Sequence, residues 1–266
     1  MQQQHTICDF SSSDSWVVLS PIEQSIKRKI EAVGTPLKDW DIKINYGIKT
    51  GCNEAFIVST EKRNEILSNC KDADERQRTE ELIRPILRGR DIKRYGYEWA
   101  GLWLINTHNG IKGKIERIHI EDYPAIKAHL NQYWGKIEHR ADQGDTPYNL
   151  RNCVYLEDFN KPKLFYADIT QHLNFCLCRD VMYCNNTTYF ITTDNERELR
   201  HLQKYLNSPL IDWYYKTLSV QLGEKAVRMF SIYVLEIPIP PIGEDNIYEA
   251  YHLNATEIAF IEGKEA

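Results

Sequence analysis

The chain lacks the sequence marks of membrane, secreted and disulfide-stabilised proteins. No apolar run among its 266 residues approaches the roughly 18 residues that a membrane-spanning helix needs. The start, residues 1–5, has neither the basic nor the apolar region of a secretory signal. The seven cysteines are odd in number and irregularly spaced, and no two form a Cys-x-x-Cys pair. We therefore expect a soluble, cytoplasmic protein with reduced thiols, no bound metal and no membrane contact.

Catalytic motifs are missing as well. A phosphate-binding P-loop is excluded because Gly47 and Gly51 are one residue too close and Lys49 precedes the second glycine. None of the 13 glycines forms a G-x-G pair, and no G-x-S-x-G elbow is present. Asp41 and Asp91 each begin an Asp-x-Lys run, but neither has the upstream Pro-Asp dipeptide of a metal-dependent nuclease. Motifs alone give no catalytic centre, and a stand-alone nuclease with an unrecognised site stays open as an alternative.

The charge is unevenly distributed. The formal net charge is −5, from 33 Lys and Arg against 38 Asp and Glu, and residues 241–266 carry the whole excess with six acids and one base. The remainder is neutral, so any face that binds nucleic acid has to be local. Residues 84–94 provide one candidate, because five basic side chains accompany a single acid, Asp91, for a local charge of +4.

The hydrophobic pattern mixes helices and strands without regular alternation. Ser20, Pro21 and Glu23 predict the start of a helix whose apolar residues recur at helical spacing to Val33. Strands are predicted at residues 42–46, 55–58, 102–105, 164–167, 175–178, 189–192 and 229–237. Further helices are predicted at residues 60–69, 79–83, 115–140, 196–207, 210–218 and 247–261, with a charged loop at residues 71–78. The expected fold class is α+β, a mixed β-sheet with peripheral helices and a C-terminal helix.

Five short segments carry patterns that recur together in one family. They are GIKTGCNEAF at residues 47–56, PILRGRDIKRY at 85–95, KPKLFYADI at 161–169, LNSP at 206–209 with Trp213 and Tyr214, and LEIPIP at 235–240. In this order they resemble the signatures of the TaqI-like C-terminal specificity domain. That domain is the target recognition part of adenine-specific DNA methyltransferases and of fused restriction–methylation enzymes. Each pattern alone is weak, but five in the family's order are specific, and they span about residues 16–241.

The resemblance implies a domain plan and a set of partners. Residues 1–39 would be a lead-in segment and helix, residues 40–241 the target recognition domain, and residues 242–266 an acidic C-terminal helix. The family's catalytic half carries a glycine-rich S-adenosylmethionine loop and an [NDS]-P-P-[YF] tetrapeptide that grips a flipped adenine. Here the only Pro-Pro pair, Pro240-Pro241, lies between two isoleucines. The resemblance therefore implies sequence-specific recognition of duplex DNA without catalysis or a cofactor in this chain. A methyltransferase domain, in cis or in trans, would bind S-adenosylmethionine.

Candidate phosphate contacts come from the first two segments. Lys49, Thr50 and Asn53 lie in a glycine-bearing turn that could approach phosphate, and Gly51 is expected to have a positive φ. The alternative is an ordinary hairpin turn in which Asn53 caps its own backbone. The basic cluster contributes four more candidates, Arg88, Arg90, Lys93 and Arg94, of which one or two are expected to support the fold through ion pairs.

Candidate base readers are expected in three polar segments. These segments are residues 106–114, 168–174 and 221–228, because Asn and Gln can bind adenine with two hydrogen bonds and Arg or Lys can bind guanine. The residues selected are Lys112, Lys114, Gln171, Gln221, Lys225 and Arg228, with Asn106, His108, Asn109, His172 and Asn174 beside them. Each segment could equally be a polar surface loop. A last alternative for the whole chain is a protein-interaction module that docks through its acidic C-terminal helix.

Overall fold

The structure, a computed structural model, describes residues 19–219, 221–222, 226–243 and 246–263. The helices are α1 Pro21–Val33, α2 Asn53–Phe56, α3 Thr60–Ser68, α4 Ala73–Leu82, α5 Pro124–Asn131, α6 Trp134–Ile137, α7 Glu196–Leu206, α8 Pro209–Leu218, α9 Ser231–Val234, α10 Ile247–Ala250 and α11 Ala255–Ile261. The strands are β1 Thr35–Pro36, β2 Lys43–Tyr46, β3 Ile57–Ser59, β4 Ile83–Leu87, β5 Ile92–Lys93, β6 Gly96–Tyr97, β7 Leu102–Ile105, β8 Lys163–Ala167, β9 Ile169–Thr170, β10 Cys176–Cys178, β11 Tyr183–Cys184, β12 Thr188–Thr192, β13 Gln221–Leu222, β14 Ala226–Arg228 and β15 Pro238–Ile239. This mixture confirms the α+β class.

The chain divides into two compact units that interleave along the sequence. Unit one comprises the described parts of residues 1–43, 168–175 and 193–266, and unit two comprises residues 44–167 and 176–192. The division into residues 1–39, 40–241 and 242–266 was drawn from motif limits and stays a prediction.

Unit two is built on two four-stranded sheets. The first has the strand order β10-β8-β12-β2, with β8 antiparallel to both β10 and β12. The second has the order β11-β4-β7-β3, in which β11 runs parallel to β4 and the other pairs are antiparallel. The apolar faces of these strands and of α2 and α5 form one core, which includes Phe56, Ile86, Ile126, Phe165 and Phe190.

Unit one combines α1, α7, α8 and the C-terminal elements with two small sheets, β1-β15 and β13-β14-β9. The predicted start of α1 is confirmed, because Glu23 accepts a hydrogen bond from the Ser20 amide at 2.7 Å and Pro21 is the first helical residue. Its apolar face is buried at Ile26 and Ile30. The unit therefore buries the face that the helical spacing indicated.

The charged segment 71–78 was predicted as a loop, and this prediction is wrong. Residues 73–82 form α4, whose N-cap Asp72 accepts a hydrogen bond from the Glu75 amide at 2.7 Å. Glu75 is buried, and its carboxylate accepts hydrogen bonds from the amides of Lys71 and Ala125 at 2.9 and 2.8 Å. The helix is thus stabilised by a cap and a buried carboxylate rather than by an apolar stripe.

Four other elements differ from their predicted form. The strand predicted at residues 229–237 is the helix α9 between β14 and β15, and the strand predicted at residues 55–58 begins as α2 and becomes β3 only at Ile57. The C-terminal helix is two short helices, because His252 has a φ of +55° and Asn254 caps α11. Of the helical region predicted at residues 115–140, only α5, α6 and a short 3₁₀ turn at Ile120–Asp122 are helical.

Candidate nucleic-acid interface

The first two family segments, residues 47–56 and 85–95, both contact one turn of unit two, Asn185–Thr187. Ile48 forms a parallel β-bridge with Asn185. On the second segment, the Leu87 carbonyl accepts a hydrogen bond from the Asn185 amide at 2.9 Å, and the Gly89 amide donates to the Thr187 hydroxyl at 2.8 Å. The structure therefore brings two distant sequence signatures together through a third segment.

Neither glycine at this turn has room for a side chain. A Cβ added at Gly47 would overlap the carbonyl oxygen of Asn185, and one added at Gly89 would lie 2.5 Å from the carbonyl oxygen of Thr187. The Gly47 amide is already bonded to the Thr188 carbonyl at 2.9 Å. These glycines serve close backbone packing, and their amides are not available to phosphate in this conformation.

The turn that follows closes on itself. Gly51 has a φ of +66°, which confirms the predicted left-handed turn. Thr50 is only 2% exposed, and its hydroxyl donates to Asn53 Oδ1 at 2.7 Å and accepts from the Cys52 amide at 3.1 Å. The Thr50 hydroxyl thus holds the turn and does not face solvent, and Asn53 Oδ1 bonds this hydroxyl rather than a backbone amide.

Lys49 and Asn53 are the members of this segment that reach solvent. Asn53 is exposed at the start of α2. Lys49 is half-buried, with its ammonium 5.3 Å from the centre of the Tyr46 ring. The Tyr46 hydroxyl donates to the carbonyl of Asn186, so Lys49 lies on a ring that is itself fixed to the shared turn.

The second signature forms a short hairpin of residues 88–97, named the basic hairpin below. A 3₁₀ turn at Gly89–Asp91 leads into β5, which pairs antiparallel with β6. Arg94 and Tyr95 alone connect the two strands, and Ile92 is buried beneath them. The hairpin therefore places its charged residues at and beside a tight tip.

Arg88 supports the base of the basic hairpin. Its guanidinium bonds the Asp91 carboxylate in a bidentate manner, with Nη2–Oδ1 at 2.8 Å and Nε–Oδ2 at 3.0 Å, and its amide donates to the same carboxylate at 2.8 Å. Burial would raise the pKa of Asp91, but the hydrogen bonds from Arg88 outweigh it and hold that pKa below its usual value. Arg88 is thus a structural residue, as expected for part of the cluster.

The other three basic residues of the hairpin point to solvent. The exposed guanidinium of Arg90 makes no hydrogen bond or ion pair with any residue that the structure describes. The ammonium of Lys93 donates to the Arg90 carbonyl at 3.2 Å and lies 3.5 Å from the carboxylate of Glu98. Arg94 is exposed, with its guanidinium 6.0 Å from the Tyr95 ring. This group remains the strongest candidate for phosphate contacts.

A polar chain that the sequence did not indicate fixes the hairpin to the first sheet. The Tyr97 hydroxyl on β6 donates to the Asp180 carboxylate at 3.3 Å. The ammonium of Lys163, a buried residue of β8, donates to the carbonyls of Asp180 and Lys161 at 3.0 and 2.8 Å. Burial lowers the pKa of Lys163 and raises that of Tyr97 to about 12.

Residues 106–114 are mostly structural. Asn106 is buried and donates to the Tyr183 hydroxyl at 3.3 Å, and Asn109 holds the loop of Asp145 through two hydrogen bonds of 2.9 Å. Lys114 is ion-paired with Glu157. Lys112 is exposed at the tip of the turn, without a hydrogen bond or ion pair to the described residues.

Two of the three predicted reading segments become neighbours in unit one. In the sheet β13-β14-β9, Val227 pairs with Thr170, so the ends of both segments lie side by side. Gln171 is exposed and has no hydrogen-bond partner among the residues described. Arg228 is bound to Asp168 at 3.2 Å, and its guanidinium lies 5.1 Å from the Phe230 ring. The side chain of Gln221 and all of Lys225 lie outside the described residues.

The structure also bears on the cysteines, on metal-binding groups and on membrane-spanning helices. Cys176 and Cys178 are buried in β10, and burial raises the pKa of Cys176 to about 12. Across the described ranges, no group of three or more His, Cys, Asp or Glu side chains is arranged to hold a metal ion. In the same ranges, no helix has the length and apolar character needed to cross a membrane.

Comparison with known families identifies the class of protein. The family model of the TaqI-like C-terminal specificity domain matches residues 84–239, which is more than half of the chain. The chain belongs to this family, and the assignment made from its sequence patterns is confirmed.

Particular relatives can also be named. The Type II methyltransferases M.XhoI of Xanthomonas vasicola and M.PaeR7I of Pseudomonas aeruginosa are each 22% identical to this chain over 233 residues. The match covers 86% of this chain but only 40% and 38% of the two relatives, so the chain spans about two fifths of their length. Family and relatives together support a DNA-recognition role in restriction–modification.

A solved structure shares the fold. The crystal structure of the type IIG restriction endonuclease BpuSI matches 91% of this chain and 27% of its own, with a TM-score of 0.53 and 13% identity. At this identity the similarity shows the fold alone.

Proposed function

We propose that this chain is the sequence-specific DNA-recognition module of a restriction–modification N6-adenine methyltransferase and has no catalytic centre of its own. The observation that carries the proposal is the basic hairpin. It belongs to a family signature, is fixed at its base by the Arg88–Asp91 pair, and presents Arg90, Lys93 and Arg94 to solvent. Fixed cationic groups on a neutral body are suited to the phosphates of duplex DNA.

In this proposal, affinity and specificity come from different parts of the chain. The basic hairpin, with Lys49 and Lys112, contacts phosphates and sets the orientation of the duplex. Gln171, Arg228 and the segment 221–225 read base edges in the major groove, where amide and guanidinium groups can form paired hydrogen bonds. Thr50 is left out because it is buried.

In this proposal the glycine-bearing segment at Gly47 is not a loop for S-adenosylmethionine. A glycine-rich cofactor loop needs open space over its glycines and free amides. At Gly47 that space is occupied by Asn185, and the amide is bonded to Thr188. We assign cofactor binding and methyl transfer to a methyltransferase domain acting in cis or in trans.

The acidic C-terminal helix has an internal role that weakens the alternative of a protein-interaction module. Glu257 on α11 is 3% exposed, and its carboxylate accepts hydrogen bonds from the Ser25 hydroxyl at 2.8 Å and the Lys29 ammonium at 2.7 Å, both on α1. The buried acid of this helix is thus bound within unit one.

A binding experiment tests the proposed function. Fluorescence anisotropy with a labelled random-sequence duplex should give a dissociation constant in the range of about 10⁻⁴–10⁻⁶ M near physiological salt, with stronger binding at low salt. Sequencing the duplexes retained at low protein concentration should reveal an enriched site. Absence of binding even at low salt would contradict the proposal and favour the protein-interaction module. Metal-dependent cleavage of plasmid DNA would instead favour the nuclease.

A further inference from the structure

Tyr95, at the tip of the basic hairpin, is the most exposed aromatic side chain in the described part of the chain. It is 59% exposed, whereas every other tyrosine whose side chain is described is buried or half-buried. An aromatic ring gains most from burial, so a ring held in solvent contributes little to the stability of this fold. Its neighbour is the Arg94 guanidinium at 6.0 Å.

The backbone at Tyr95 is strained. Its φ is +67°, in the left-handed region that favours Gly or Asn, and the residue after it, Gly96, would accept such a conformation at no steric cost. Among the described residues, His252 is the only other non-glycine residue with a positive φ. The two-residue connection between β5 and β6 accounts for a positive φ here, but it does not account for a bulky, exposed aromatic residue where Gly or Asn would be less strained.

The hairpin below the ring is rigidly held. Ile92 is buried, Arg88 and Asp91 lock the base, and Tyr97 bonds Asp180. The ring therefore projects from a preorganised support, and binding a partner there would cost little ordering entropy.

We infer that Tyr95 stacks on a nucleobase at a locally opened step of the bound duplex; this inference rests on the proposed function. Arg90, Lys93 and Arg94 surround the tip with positive charge, which draws the phosphate backbone to it. A phenol ring offers phosphate no comparable attraction, but it matches the flat face of a base. Such a face becomes accessible when a step unstacks, and methylation of an adenine requires the base to leave the stack.

Two substitutions distinguish the contribution of the aromatic ring to DNA binding from that of the backbone conformation. Tyr95→Phe keeps the ring. Tyr95→Asn removes it while retaining a residue that tolerates positive φ, so this variant should fold with an unchanged or higher melting temperature. Binding is measured by anisotropy on an intact duplex and on the same duplex with a short single-stranded gap, each over a series of salt concentrations.

The expected result is specific to stacking. Tyr95→Asn should bind the gapped duplex about 5- to 150-fold more weakly than the wild type with an unchanged salt slope, and Tyr95→Phe should stay close to the wild type. Equal affinity of wild type and Tyr95→Asn for both duplexes would overturn the inference while leaving DNA recognition intact. If the wild-type chain binds neither duplex at low salt, the proposed function fails, and the inference fails with it.

Discussion

Gly47 lies so close to the carbonyl oxygen of Asn185 that the side chain of any larger residue at position 47 would overlap this oxygen. The contact joins the first family signature to a turn that also holds Gly89 of the second signature. Gly47 and Gly89 are therefore explained by packing, and in the proposed function the DNA contacts come from the side chains around them. Residues whose role is backbone packing are thus distinguished from residues whose side chains are proposed to contact DNA.

Gly47→Ala is expected to destabilise the protein by about 1–3 kcal/mol, because the added methyl group has to displace a backbone carbonyl. Gly135→Ala is the matched control. Gly135 lies in α6 with nothing within 4 Å of its added Cβ, so this variant should be unchanged or gain up to about 1 kcal/mol from helix propensity. Urea unfolding of both variants measures the difference. Equal stabilities would mean that the Asn185 turn can move aside.

Asp91→Asn is expected to cost about 2 kcal/mol at neutral pH, because it removes a bidentate charged pair and weakens the cap on the Arg88 amide. The pKa of Asp91 is lowered in the folded protein, so its stabilising effect is complete above the unfolded pKa of about 3.9 and is lost as the pH falls through the folded value. The stability difference between wild type and variant should therefore be constant from about pH 5 to 8 and shrink below about pH 4.

The control for this variant is Lys127→Ala. Lys127 forms an exposed ion pair with Glu121, whose loss should change the stability little because solvent screens the pair. A stability difference for Asp91→Asn that stays constant down to pH 3 would show that the charge of Asp91 does not contribute.

Local signals in the sequence predicted the elements that depend on them. The Ser20–Glu23 capping box located α1, and the alternating pattern at residues 42–46 located β2. Short apolar runs located β7, β8 and β12 within a residue or two. The segment 71–78 was missed because its helix is stabilised by the buried Glu75, whose partner Ala125 is distant in sequence. The run 229–237 was misread because a short apolar stretch fits a strand or a helix equally well.

The candidate site was predicted less completely, for a related reason. The pattern at residues 85–95 located the basic cluster. It did not predict that Arg88 forms an ion pair with Asp91, whereas Arg90 has no partner among the described residues. Nor could it link Lys163 and Asp180 to the hairpin, because those contacts form only in the folded chain. The partners of the turn at Asn185–Thr187 are also distant in sequence, so no local pattern indicates them.

Arg90→Ala and Lys93→Ala are each expected to reduce the slope of log affinity against log salt by about 0.9, because in the proposed function each side chain contacts one phosphate. The loss of affinity should be similar for all duplex sequences, since phosphates carry no sequence information. Lys127→Ala again serves as the control, and its slope should equal that of the wild type. Unchanged slopes for both hairpin variants would mean that the duplex lies on another surface.

Gln171→Ala and Arg228→Ala are expected to change sequence preference rather than salt dependence. Each true base contact contributes about 1–3 kcal/mol of discrimination, so the enriched site should lose its preference at one position. Arg228→Lys is a useful companion, because it keeps a cation beside Asp168 and loses the bidentate geometry. Selection and sequencing of bound duplexes measures all three. An enriched site identical to that of the wild type would remove the residue concerned from the reading surface.

The chain by itself is expected neither to bind S-adenosylmethionine nor to methylate DNA. Its glycine-bearing loop at Gly47 is filled by Asn185, and its only Pro-Pro pair lacks the neighbouring residues that would grip a flipped adenine. Without such a pocket, no interaction offsets the free energy needed to keep the base out of the DNA stack.

Calorimetric titration with S-adenosylmethionine should give no binding heat. The same sample should retard a DNA duplex in a gel-shift experiment at low salt. Adding a separately produced methyltransferase domain from the same enzyme should restore methylation and tighten DNA binding through its own phosphate contacts. Micromolar cofactor binding by the isolated chain would contradict the assignment of catalysis to a separate domain.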